Sequence, residues 1–218
     1  MSVFNDAVHL IAQAMWKPFS PNPTAVEKDW QETRNRFTDE EYNEVVKAMA
    51  ILIDALDDRR EEFLGVILEA IGANNTHNGQ FFTPSCIARV MAKMTAVEKS
   101  DKKGIITLSD PACGASVLLI EQGEELLRKG IPQEDIYIIA GDIDSRACDI
   151  SYIELSLLGY AACVERKNAI TYKDIQPPRY TVNYFSYAMP MRRLARRHNG
   201  EPIRTTIGDA SRPAHING

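Results

Sequence analysis

Apolar residues recur at helical spacing through the first third of the chain. Between Asp6 and Met15 they fall at Val8, Ile11, Ala12 and Met15, one face of a 3.6-residue period. Pro18, Pro21 and Pro23 break that pattern. Thr38 suits the N-cap of a helix starting at Asp39, with Glu41 completing a capping box. Val45, Val46, Met49, Leu52, Ile53 and Leu56 give that helix a broad apolar side. Another helix is predicted from about Glu61 to Ile71, stopped by Gly72. The polar, turn-rich stretch Ala73–Gly79 reads as a loop and a domain boundary.

The pattern then changes. A helix is predicted from Pro84 to Met94, with proline in its first turn. Ile105–Leu108 is a short apolar run, followed by a helix over Ser116–Arg128 that Gly130 ends. Ile136–Ile139 is a second such run, followed by a helix over Ser145–Leu158 that Gly159 ends. Ala161–Val164 is a third. Strands alternating with helices predict a parallel α/β sheet, doubly wound, with continuous apolar strands because both faces are covered. Tyr180–Tyr187 has the β-branched and aromatic content of one more strand. Asn199–Gly218 is polar and carries Pro202 and Pro213; it is expected to be mobile or to pack only on a partner.

With 218 residues, 44% of them hydrophobic, the chain is long enough for one domain with an appendage or for two small ones. No stretch approaches the roughly 20 apolar residues that cross a bilayer. Residues 1–17 lack the basic start and cleavage pattern of a signal peptide, so a cytoplasmic protein is expected. Cys86, Cys113, Cys148 and Cys163 form no C-x-x-C pair, and His9, His77, His198 and His215 lie far apart. Neither a metal site nor a disulfide framework is indicated. The net charge of −5 argues against a protein coated in positive charge for nucleic acid. However, residues 189–204 hold Arg192, Arg193, Arg196, Arg197 and Arg204 against Glu201. That is a local +4, so the remainder carries −9. Arg192, Arg193, Arg196 and Arg197 are candidates for nucleic-acid contact; the plainer alternative is a solvated helix face or loose tail.

Candidate chemistry lies at the carboxyl ends of the strands, where open α/β sheets bind ligands. After the first strand comes Ser109-Asp110-Pro111-Ala112-Cys113-Gly114-Ala115-Ser116, a turn of small residues entering a helix. Gly114 and Ala115 let backbone approach a ligand, and Ser116 is expected to cap the helix. Asp110 suits a cationic amino-acid group and repels a phosphate. The turn is neither a G-x-G-x-x-G fingerprint nor a P-loop. Asp142 stands 32 residues on, at the second strand's tip, where an acid accepts hydrogen bonds from ribose hydroxyls. Ile143 would lie on an adenine face, and Asn168, after the third strand, has the donor and acceptor to read the adenine edge.

These motifs resemble those of the N-6 adenine DNA methylases, including the modification subunits of type I restriction systems. Asn78-Gly79-Gln80-Phe81-Phe82-Thr83-Pro84 looks like the family's G-Q-F-[FY]-T-P. Asp110-Pro111-Ala112-Cys113-Gly114 looks like its D-P-A-C-G loop, and Gly141-Asp142-Ile143-Asp144 resembles its second acidic motif. Tyr152–Tyr160 is similar to its A-x-M-N-L-x-L-x-G helix. The resemblance covers about residues 75–172. It implies a truncated, doubly wound, Rossmann-like methyltransferase fold with a helical N-terminal region. It implies S-adenosylmethionine as cofactor, held by Gln80, Phe82, Thr83, Pro84, Asp110, Pro111, Ala112, Cys113, Gly114, Ser116, Asp142, Ile143 and Asn168. The chain then divides into a helical region (1–75), an α/β domain (76–188) and a basic, polar tail (189–218).

The family also carries Asn-Pro-Pro-[Phe/Tyr] after a fourth strand, which orients the target amino group and stacks on the flipped base. Gln176-Pro177-Pro178-Arg179-Tyr180 is the nearest match here; it reads better as a proline turn, since Arg179 replaces the ring. Asn183-Tyr184-Phe185 has the amide and the rings without the prolines. The chain resembles a short form of the fold, of the kind found on phages and other mobile elements. Two expectations follow. One is an adenine methyltransferase in DNA modification or restriction–modification, minimal or completed by a protein partner, with Tyr180, Tyr184 or Phe185 stacking on a base. The other is an inactive methylase-fold protein that regulates or interferes with a modification system through protein contacts.

Overall fold

A computed structural model of the chain describes residues 3–71, 83–95, 105–171 and 173–188. The helical region comprises α1 (Val3–Trp16), α2 (Pro23–Arg34), α3 (Asp39–Asp58) and α4 (Leu64–Ala70). The expected capping box opens α3: Thr38 accepts the Glu41 N–H at 3.2 Å, and the Glu41 carboxylate accepts the Thr38 N–H at 2.8 Å. The proline-rich break after α1 is shorter than the sequence suggested, because Asn22 caps α2 by accepting the Ala25 N–H at 3.2 Å with Pro23 following. Proline is favoured in a first helical turn, where its missing N–H has no partner to lose.

Next come α5 (Ser85–Thr95), β1 (Ile106–Asp110), α6 (Val117–Arg128), β2 (Ile136–Asp142), α7 (Ser145–Leu157) and β3 (Ala161–Asn168). β1 pairs parallel with β2, and β2 with β3. Two short strands, β4 (Lys173–Asp174) and β5 (Arg179–Tyr180), pair antiparallel with β3. The expected strand over Tyr180–Tyr187 is instead β5 followed by one wide helical turn, Tyr184–Ala188.

The doubly wound order is not seen among the described residues. Strand order runs β1-β2-β3 in one direction, with no reversal and hence no switch point. The register puts Ile106, Leu108, Ile136, Ile138, Ala140, Ala162 and Val164 on one face, where they share a core with α1, α3, α4, α6 and α7. Thr107, Ser109, Tyr137, Ile139, Ala161 and Cys163 alternate onto the other. That face is covered by Tyr180, Tyr184 and Phe185, while Thr107 and Ser109 of β1 stay exposed. β1 therefore alternates apolar and polar, as a strand with one wet face must, rather than running continuously apolar.

The helical region shares its interior with the sheet. Val8, Ala12, Trp16, Leu52, Leu56, Leu64 and Leu68 belong to the same buried cluster as β2 and α7. Trp16 meets Tyr152 edge-on, with ring centroids 6.1 Å apart. A charged network also ties α1 to α7: His9 Nδ1 bonds Asp149 Oδ2 at 2.8 Å, and His9 Nε2 bonds Asp29 Oδ2 at 2.9 Å. Arg179 Nη2 lies 2.6 Å from Asp149 Oδ1. Burial alone would lower the His9 pKa; the hydrogen bonds and charges of Asp149 and Asp29 outweigh it and raise the pKa.

Candidate functional site

The parallel register builds a staircase of polar tips. Asp110, the last residue of β1, pairs with Ala140, two residues short of Asp142; Asp142 pairs with Arg166, two short of Asn168. Each step is about 7 Å at a strand's rise per residue. An even number of residues separates each pair of tips, so Asp110, Asp142 and Asn168 share one side of the pleat.

The turn after β1 is stitched to the tip of β2. Cys113 N–H donates to Gly141 O at 2.8 Å, and Gly114 N–H donates to Asp142 Oδ2 at 3.0 Å. Asp110 Oδ1 accepts the Ala112 N–H at 2.9 Å, and among the described residues nothing bonds its Oδ2. Asp142 Oδ1 accepts the Asp144 N–H at 2.9 Å. Glycine is needed at 114, where φ is +55°, a region that costs other L-residues roughly 1–2 kcal/mol. At Gly141 a Cβ would lie 3.3 Å from Pro111 Cα, so a side chain there would push the two segments apart by a few tenths of an ångström.

Ser116 departs from expectation. It stands at the start of α6 with φ +67° and makes no side-chain cap. Its buried Oγ donates instead to Ser151 Oγ on α7 at 2.7 Å, and Ser151 Oγ donates to Gly114 O at 2.9 Å. Left-handed backbone turns the side chain inward, so Ser116 shapes the loop from beneath. Ser151, which the sequence analysis did not single out, is the floor of the turn; α7 also carries Asp149, Glu154 and Ser156, so nothing in the sequence set Ser151 apart. Cys113 is also buried, which pushes its thiol up to about 12 and excludes a thiolate nucleophile at neutral pH. Pro111 and Ala112 are exposed on the rim.

Ile143 projects from the second tip with 54% of its surface exposed, a free apolar face beside Asp142. Asp144, rather than Asp142, caps α7 by accepting the Arg146 N–H at 2.9 Å. Asn168 Oδ1 accepts the N–H groups of Ile170 and Thr171 at 2.9 and 3.0 Å. Among the described residues its Nδ2 has no hydrogen-bond partner. Thr83 and Pro84 lead into α5, which packs along α6. Gln80 and Phe82, like Arg192, Arg193, Arg196 and Arg197, lie outside the described residues.

The acceptor-binding candidates are differently placed. Arg179 is held by Asp149 and lies over the Tyr152 ring at 5.4 Å, so Gln176–Arg179 is a turn anchored in the protein. Gln176, Pro177 and Arg179 line a cavity of about 320 Å³ together with His9, Trp16 and Asp149. Tyr180 and Tyr184 stack on one another at 4.3 Å, with Phe185 edge-on to both and Phe19 stacked on Phe185. These rings fill the second face of the sheet, so the expectation that they stack on a base does not fit their packing. Among the described residues, no group of three or more His, Cys, Asp or Glu side chains could hold a metal ion, and no helix is long and apolar enough to cross a membrane.

The site is thus a parallel-sheet edge with two acids at successive tips and a small-residue turn clamped between them. No curated protein matches the sequence. The family model for N-6 DNA methylase matches residues 53–182, more than half of the chain, taking in every described strand and the whole staircase of tips. The chain therefore belongs to the N-6 DNA methylase family, with the methyltransferase-like α/β fold its sheet displays.

Proposed function

We propose that this chain binds S-adenosylmethionine across the tips of β1, β2 and β3 and serves adenine-N6 modification of DNA, in a modification or restriction–modification setting. The observation that carries the reading is the clamp of Gly114 on Asp142 beside Asp110, whose Oδ2 has no hydrogen-bond partner among the described residues. Asp110 suits the ammonium group. Asp142 keeps a second lone pair on each oxygen for ribose hydroxyls. Ile143 offers a flat apolar contact for adenine, and Asn168 Nδ2 a donor to its edge. The resemblance to the family's G-Q-F-[FY]-T-P motif assigns Gln80, Phe82, Thr83 and Pro84 to the methionine end. When bound, the cofactor supplies an electrophilic methyl group; the residues here bind and orient it.

A second reading has its own observation. Arg179 is committed to Asp149 and the nearby rings to one another, so the described residues hold no group placed to orient an adenine amino group. The chain then either works with a protein partner that supplies that group or acts as a non-catalytic regulator of a modification system. A methyl-transfer assay on DNA with labelled cofactor tests this. Transfer by the purified chain supports a self-sufficient enzyme; cofactor binding without transfer supports the partner-dependent or regulatory reading. DNA contact through Arg192–Arg197 predicts affinity that falls steeply with salt.

A further inference from the structure

Five acids are buried among the described residues: Glu62, Glu121, Glu124, Asp149 and Glu154. Three have cations. Glu121 on α6 faces Arg89 and Arg128, Glu124 on α6 faces Arg60 and accepts the Tyr160 hydroxyl, and Asp149 on α7 faces Arg179 and His9. Glu62 and Glu154 pair with no basic side chain among the described residues. Glu154 Oε1 accepts the N–H groups of Phe63 and Leu64 at 2.8 and 2.7 Å, while its Oε2 is buried without a hydrogen-bond partner. Glu62 Oε1 accepts the Gly65 N–H.

Two buried carboxylates without a cation cannot both stay ionised at reasonable cost. Burial is the larger cause for each. It lifts Glu62 to about 7, with Glu69 on α4 adding repulsion, and lifts Glu154 well above its ordinary value, with Glu62 adding to it. A proton on the unpartnered, buried Glu154 Oε2 would remove one of the two charges. Glu61, next to Glu62, is turned away to Arg89 and Arg59 and does not relieve the pair.

The pair lies against the cofactor loop. A Cβ on Gly65 would come within 2.5 Å of both Ala115 Cβ and Glu62 Oε1, so the first turn of α4 rests directly on the Gly114–Ser116 turn, held there by Glu62 and Glu154. We propose that Glu62 and Glu154 form a protonation latch: with a proton, the pair holds α4 against Ala115 and keeps the Pro111–Val117 loop closed; when both carboxylates ionise, α4 lifts and the loop loses its backing. The sign follows from the raised acids. Closure is fully favoured below the ordinary glutamate range and is lost as pH rises through the folded-state values, from about 7 upward for Glu62. That the closed loop is the cofactor-competent form rests on the reading above.

Hydrogen exchange of the ligand-free protein, read on peptides covering 111–117, tests the latch at pH 6 and pH 8.5 against Glu62→Gln/Glu154→Gln at the same pH. Comparison at matched pH removes the intrinsic pH dependence of exchange. The latch predicts that wild-type loop opening rises relative to the double variant, by up to about tenfold per pH unit for each proton released. The same ratio at both pH values overturns it. Should the double variant fail to fold, Glu154→Gln keeps the Oε1 acceptor and removes the like charge, so the wild-type transition should move to lower pH; an unmoved transition overturns the latch. Calorimetry with S-adenosylmethionine at both pH values separates the two claims. A pH-dependent loop with no binding at either pH would sink the cofactor reading and leave the latch standing.

Discussion

The Gly114 N–H donates to Asp142 Oδ2 at 3.0 Å, and this bond, between residues 28 apart in the chain, joins the turn after β1 to the tip of β2 as one site. The acid that the sequence assigns to a ribose also holds the turn that accepts the rest of the ligand. Asp142→Ala should therefore do two things. It strands the Gly114 and Asp144 N–H groups, which costs about 1–3 kcal/mol if they stay dry, and it removes cofactor binding. Urea unfolding and calorimetry on the same preparation check both; full affinity in a destabilised variant would contradict the shared role.

Gly65→Ala is predicted to be costly for its size. The new methyl group meets Ala115 and Glu62, and overpacking of this kind costs typically 1–3 kcal/mol. Thermal unfolding should show the loss, and hydrogen exchange should place the disturbance in the 111–117 loop as well as in α4. A change confined to α4 would mean that the two elements are not coupled.

Arg179→Met tests whether Gln176–Arg179 is an anchored turn. Removing the guanidinium leaves Asp149 with His9 alone, and breaking a buried pair costs about 3–5 kcal/mol in the extreme. The expected outcome is a stability loss with cofactor affinity retained under folding conditions. Lost methyl transfer at unchanged stability would instead place Arg179 in an acceptor site.

The α1–α7 docking should weaken in alkaline solution. His9 gains a raised pKa from Asp149 and Asp29 against the opposing effect of burial. Its contribution is therefore fully present below the unfolded value near 6.5 and is lost as pH rises through the folded one. His9→Gln should flatten that part of the stability–pH profile, measured by denaturant unfolding between pH 6 and 9. A profile unchanged by the substitution would remove His9 from the account.

Much of this was legible in the sequence because local chemistry and global position agree. Thr38 and Glu41 announce the start of α3, Gly130 and Gly159 adopt positive φ just past α6 and α7, and three apolar runs give the parallel strands. What escaped was non-local. Glu165, Arg166, Lys167 and Asn168 look like a loop, yet they extend β3 because Asp142 and β4 offer them backbone partners. Thr107 and Ser109 marked an open face, but alternation over five residues is easily taken for a continuous apolar run. Tyr180, Tyr184 and Phe185 have strand propensity, and stacking on one another holds a helical turn instead. At the site, Asp110, Gly114 and Asp142 could be named from motif and strand position. Ser151, Gly65, Glu62 and Glu154 could not, since their roles exist only once α4 and α7 meet the loop.

The central claim is tested most directly by calorimetric titration with S-adenosylmethionine and S-adenosylhomocysteine, on the wild-type chain and on Asp110→Ala. The account predicts saturable binding of both ligands by wild type, and its loss in Asp110→Ala with the thermal midpoint preserved. No heat with either ligand, or equal affinity in the variant, would contradict the placement of a cofactor on these strand tips.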